Sequence, residues 1–133
     1  MELQMKLLSA LEKVFLDTEP VERPEDGILS GFRNEVMSFQ AAYTLKAGTR
    51  DYVNVEVISP IARYVRVRSV RHVPVRFAAF AEDGDNYLRT TPGLYPDLLT
   101  EIRPHALRAY ENQWDTLWVD VTPDADAPAG MFP

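Results

Sequence analysis

From Asn34 onward the chain alternates. Met37, Phe39, Ala41, Tyr43 and Leu45 take every second place, with Ser38, Gln40, Ala42 and Thr44 between them. A period of two sends successive side chains to opposite faces of an extended backbone, so the stretch predicts a strand with one face buried. Ala47-Gly48-Thr49 reads as a turn. Val53, Val55 and Val57 then alternate with Asn54 and Glu56, predicting a second strand that ends at Pro60. A third extended region runs from Tyr64 to Phe77. In it Val65 and Val67 point one way and Arg66 and Arg68 the other, and Pro74 marks an edge, a bulge or a break. The last strand is predicted over Thr116 to Thr122, with Leu117, Val119 and Val121 on one face.

Between these strands lie segments that stop regular structure. Asp17 to Gly31 holds Pro20, Pro24, Gly27 and Gly31. Glu82-Asp83-Gly84-Asp85-Asn86 has strong turn chemistry, because these residues tolerate left-handed backbone and bond locally. Tyr87 to Pro104 reads as an ordered loop, and His105 to Glu111 as a helical turn. The start of the chain is ambiguous: Leu7, Leu8, Leu11, Val14 and Phe15 fall at helical spacing. Alternating strands between turn clusters predict an all-β chain, an immunoglobulin-like antiparallel β-sandwich. At 133 residues, 1–133 suits a single domain.

Composition narrows the function classes. The absence of cysteine removes disulfides, thiolate metal sites and a cysteine nucleophile together. A net charge of −6 argues against a general affinity for nucleic acid, whose phosphates reward basic surfaces. No apolar run approaches the roughly 20 residues that cross a bilayer. Glu12 and Lys13 interrupt the apolar stretch after Lys6 too early for a signal peptide, so the cytoplasm is the default expectation.

Few residues invite chemistry. Asp83, Asp85 and Asn86 offer oxygen ligands but lack the longer pattern and terminal Glu of a calcium-binding hand. His72 and His105 are the only histidines, in no zinc-type spacing. No metal, cofactor or catalytic residue is expected. Arg63, Arg66, Arg68, Arg71 and Arg76 form a basic run, read either as an anion-binding stripe or as the solvated face of a strand. Trp118 shares a face with Thr116 and Asp120, opposite the apolar face of its strand. There it either stacks on a sugar ring, or packs on a second domain, or lies under a loop that covers that face. Trp114 and Tyr95, with Tyr87 and Tyr110, either join it in an aromatic platform or pack their own loops.

Four stretches in order carry a resemblance. They are Leu11-Glu12-Lys13-Val14-Phe15; Arg33-Asn34-Glu35-Val36-Met37-Ser38-Phe39-Gln40-Ala41; Pro92-Gly93-Leu94-Tyr95-Pro96-Asp97-Leu98-Leu99; and Leu117-Trp118-Val119-Asp120-Val121 with Asp126-Ala127-Pro128-Ala129-Gly130. Together they resemble the N-terminal β-sandwich domain of bacterial proteins similar to glycoside hydrolase family 123. The resemblance implies that Leu7 to Phe15 is a strand. It also implies that the chemistry lies in a following α/β barrel, where a neighbouring Asp-Glu pair assists the substrate's own acetamido group. This chain has no Asp-Glu dipeptide, so no catalytic residue carries over. The family's turn at Ala127-Pro128-Ala129-Gly130 leads into a further strand, whereas here Met131-Phe132-Pro133 follows. The expectation is a fragment lacking its last strand, non-catalytic, whose partner is the parent's catalytic barrel or a carbohydrate. A bare edge predicts self-association as well. A stand-alone carbohydrate-binding module and a remnant interaction domain are the alternatives.

Overall fold

The computed structural model describes residues 2–80 and 87–133. They form seven strands: β1 (Glu2–Ser9), β2 (Met37–Ala47), β3 (Arg50–Tyr52), β4 (Val65–Val75), β5 (Gly93–Glu101), β6 (Arg108–Tyr110) and β7 (Asp115–Val121). The fold is all-β. Five strands make one antiparallel sheet in the order β1-β2-β7-β4-β5, and β3 and β6 make a short antiparallel ribbon.

The alternation of β2 sorts the large sheet into two faces. Ala41, Tyr43 and Leu45, with Leu117 of β7, pack against Leu107 and Ala109 from the ribbon side. Leu3, Leu7, Val53, Val55, Val67 and Ile102 close around this core. This is the ribbon face. The other, the loop face, buries Leu8 and Ala42 beneath Val14 and Trp114, which belong to connecting segments. Both faces are thus covered, as a two-layered β-domain requires. Gly48, with φ of 102°, makes the left-handed turn from β2 to β3 that a side chain would resist.

The structure corrects several boundaries. Leu7 to Phe15 is neither a helix nor a continuous strand, since β1 ends at Ser9 and a turn follows, closed by Glu12 N–H on the Ser9 carbonyl at 3.2 Å. Leu7 serves the ribbon face and Leu8 the loop face, and the chain then folds back to bury Val14 and Phe15. Burial on both faces explains the adjacent apolar residues that mimic helical spacing. Val53 to Val57 is extended without being a strand. Val53 N–H bonds the Leu107 carbonyl at 3.1 Å and Val53 and Val55 face the core, yet the ladder is confined to Arg50–Tyr52.

Tyr87 to Pro104 is not a loop throughout, because it contains β5. Pro96 disguises it, and a proline is tolerated there because β5 is an edge strand. His105 to Glu111 holds β6 and no helical turn; His105 itself sits at φ 57°. The expected irregularity in β4 is a register shift between Arg71 and Val73, just before Pro74. Glu82 to Asn86, including the oxygen-rich Asp83, Asp85 and Asn86, lies outside the described residues.

Candidate binding site

Trp118 projects from the loop face of β7, where the register sets it between Gln40 of β2 and Arg68 of β4. It lines a cleft of about 240 Å³ with Gln40, Val70 and Leu99. One wall is the segment from Ala10 to Val14, and the other is Pro96 and Asp97. Gln40 is buried and holds the first wall in place. Its amide nitrogen donates to the carbonyls of Ser9 at 3.1 Å and Glu12 at 2.6 Å. Lys13 and Asp97 pair across the two walls.

Two residues along β7, Asp120 gathers three donors. Ser38 Oγ lies at 2.6 Å, the Trp118 indole N–H reaches it at 2.8 Å, and Arg68 forms an ion pair. Burial alone would raise the Asp120 carboxyl. The hydrogen bonds from Ser38, Trp118 and Arg68, with the Arg68 charge, outweigh it and hold the carboxyl below its ordinary range. The indole is therefore fixed in orientation, with an edge of its ring toward an ionised carboxylate.

The three aromatic candidates are not brought together. Trp114 is buried, its backbone N–H bonds the Leu16 carbonyl at 3.0 Å, and Lys6 Nζ sits 5.2 Å from the ring centroid. Tyr95 is buried too. Its hydroxyl reaches the carbonyls of Thr91 at 2.7 Å and Arg89 at 3.1 Å, and its ring meets Phe15 edge-on at 5.5 Å. Both anchor loops, which leaves Trp118 as the one of the three that lines the cleft.

The basic run is divided by the fold. Arg66 pairs with Glu101 and Arg68 with Asp120 on the loop face, while Arg63 stacks on Tyr64. Arg71 falls on the ribbon face, across from Leu98 of β5. His72 sits in the register shift, and burial and the Arg71 charge both lower its pKa. On the ribbon face Asp115 pairs with Tyr43. Burial pushes the Asp115 carboxyl up to about 6, against the pull of Arg71.

Gln40 is the site residue that sequence reasoning missed; Arg68 it placed in the basic run and Asp120 on the face of Trp118, without joining the two. Period two already put Gln40, Trp118 and Asp120 on the polar faces of their strands, but only the register shows that those faces are one surface. No protein-family model matches the chain, and no curated protein matches it either.

Proposed function

We propose that this chain is a non-catalytic accessory domain, the immunoglobulin-like N-terminal β-sandwich of a glycoside hydrolase-like protein, and that it packs beside that protein's catalytic barrel. The observation that carries the reading is the loop before β2. Ile28, Leu29, Phe32 and Val36 lie within nine residues and all are exposed, Phe32 at 83%. Yet the loop is pinned: Asn34 N–H bonds the Pro123 carbonyl at 2.7 Å, Arg33 Nε bonds the Ala127 carbonyl at 2.6 Å, and Glu35 accepts from Phe32 N–H at 2.8 Å. Apolar side chains held outward by a braced backbone suit a protein partner, since contiguous exposed apolar surface marks interaction sites.

The test pairs the chain with the isolated barrel of a family-123-like hydrolase whose own N-terminal domain carries the same four stretches. Sedimentation should show a complex that Phe32→Ser weakens at least tenfold, the scale of an aromatic anchor at an interface. The chain alone should release no nitrophenol from N-acetyl-hexosaminides above blank. Turnover abolished by a single Asp or Glu substitution would overturn the reading. Self-association through an exposed edge is part of the same proposal. β5 is one of the sheet's two edges, with Leu94 and Leu98 exposed and Pro96 withholding one N–H. Light scattering at high concentration should show dimers.

A second reading, the carbohydrate-binding module, is favoured by the Trp118 cleft. An oriented indole beside polar groups suits the apolar face and hydroxyls of one sugar ring. Titration with N-acetylglucosamine should then quench tryptophan fluorescence saturably, and Trp118→Phe should reduce the affinity.

A further inference from the structure

The ribbon β3–β6 covers only part of its face. Beyond its reach, toward β4 and β5, a second cleft of about 610 Å³ opens. Its floor is Ser69 and Thr100, cross-strand partners on β4 and β5. Its wall is the segment from Ile102 to Leu107, with Ala106. Leu107 is buried in the core and Ile102 packs against it. A turn joins them, closed by Ala106 N–H on the Arg103 carbonyl at 3.1 Å, with His105 in the left-handed region. Arg103 is therefore presented at the rim by a loop anchored on both sides. Arg71 stands at the same cleft, from the β4 side.

These two arginines stand outside the ion pairs of the described residues, as Arg63, Arg76 and Arg108 also do. The chain has 20 acidic residues against 14 basic ones, and Arg66, Arg68 and Arg89 each hold a carboxylate. Among the described residues neither Arg71 nor Arg103 forms an ion pair. The one carboxylate in the lining, Glu101, is committed to Arg66. Both arginines line a concave surface together with Ser69 and Thr100, and Arg71 also acts at a distance on the Asp115 carboxyl of the same face. A guanidinium presents a planar fork of donors that matches carboxylate and phosphoryl oxygens.

We propose that this cleft binds a small organic anion. Its carboxylate or phosphoryl head would lie between Arg71 and Arg103, over Ser69 and Thr100, and its compact apolar body against Ile102, Ala106 and Leu107. The body follows from the volume, which exceeds the needs of a bare oxyanion and falls in the range of small-molecule sites. Leu98, exposed and opposite Arg71, extends the apolar side. The site is independent of the docking loop and of the Trp118 cleft.

Calorimetry on the purified chain tests it with four probes: phenyl phosphate, benzoate, inorganic phosphate and the neutral benzyl alcohol. At least one of the two aromatic anions should bind saturably, and whichever binds more tightly identifies the head as phosphoryl or carboxylate. Inorganic phosphate should bind more weakly than the preferred aromatic anion. Arg71→Gln and Arg103→Gln should each weaken binding tenfold or more. Both residues are exposed, so the variants should keep the parent's circular dichroism. Side-chain Nε–H resonances of both arginines should shift on titration. The proposal fails if neither aromatic anion binds saturably, if benzyl alcohol binds as tightly, or if both variants bind as well as the parent.

Discussion

The two faces of the large sheet handle buried charge in opposite ways. On the loop face Asp120 is surrounded by donors from Ser38, Trp118 and Arg68, which hold it ionised. On the ribbon face Asp115 lies across from Tyr43, with the Arg71 charge pulling against burial, and burial wins, lifting its carboxyl to about 6. One strand, β7, carries both, five residues apart and on opposite faces. The sheet does not set the behaviour of a carboxylate; what covers the sheet does. The loop face is covered by irregular segments that bring polar groups with them. The ribbon face is covered by apolar side chains near β1 and β2, and toward β5 it is left open.

The largest test of this contrast is a pair of tryptophans. Trp114 fills the loop-face core beside Leu8, Val14 and Ala42. Trp114→Ala should cost about 3–5 kcal/mol, the scale for deleting a buried large aromatic. Trp118 is partly exposed in its cleft, and Trp118→Ala should cost about 1–2 kcal/mol, from a smaller loss of burial and of the hydrogen bond to Asp120. Urea midpoints rank the two. Equal losses would mean that Trp118 is core, and would remove it as a ligand or interface residue.

Next in size are the two aspartates, whose effects should have opposite signs. The folded pKa of Asp115 lies above its unfolded value near 3.9. Its contribution to stability is therefore fully present below about pH 4 and is lost as the pH rises through about 6. At pH 7 the ionised, buried carboxylate costs on the order of 2–3 kcal/mol. Asp115→Asn should raise the melting temperature at pH 7 and leave it nearly unchanged at pH 4. Asp120 has a depressed folded pKa, so its stabilisation is present above its unfolded value and lost as the pH falls through the folded one. Asp120→Asn should destabilise at pH 7 by about 2 kcal/mol, as Arg68 and Ser38 lose a charged acceptor. Scanning calorimetry of both variants at pH 7 and 4 checks the signs. The same sign at pH 7 would break the comparison.

How much of this was legible in the residues follows the same division. β2, β7 and the first half of β4 alternate, each lying inside the sheet with a strand on both sides, and the pattern of β4 breaks from Ser69 onward, ahead of the register shift after Arg71. The edge strands were harder. β5 carries Pro96, which an edge tolerates, and β1 continues into a turn whose apolar residues return to the loop face. β3 and β6, three residues each, are too short to show a period. Trp118 announced itself as an aromatic among polar residues. Its cleft did not, since Gln40 and Asp97 are far apart in sequence and line the same cleft from β2 and β5, with β7 and β4 between them. The parity of the arginines carries the same division: Arg66 and Arg68 share a face, and Arg71 lies on the other.

The smallest predicted effect compares two ion pairs on the loop face. Arg68 and Asp120 expose 23% and 12% of their side chains, while Arg66 and Glu101, one β4 alternation away, expose 60% and 65%. Coulomb attraction at the exposed pair works through water, is screened by salt, and is offset by the entropy of fixing two long side chains. Arg66→Gln should therefore cost about 0.2–1 kcal/mol at low salt, and the difference should vanish in about 0.5 M sodium chloride, where the screening length falls below 5 Å. Arg68→Gln at the buried pair should cost more and keep most of its effect in salt, because Asp120 would remain buried without its cation. Denaturant midpoints at both salt concentrations measure this. If the Arg66 effect persisted in salt, its pair would be dry, and something beyond this chain's own surface would have to be covering it.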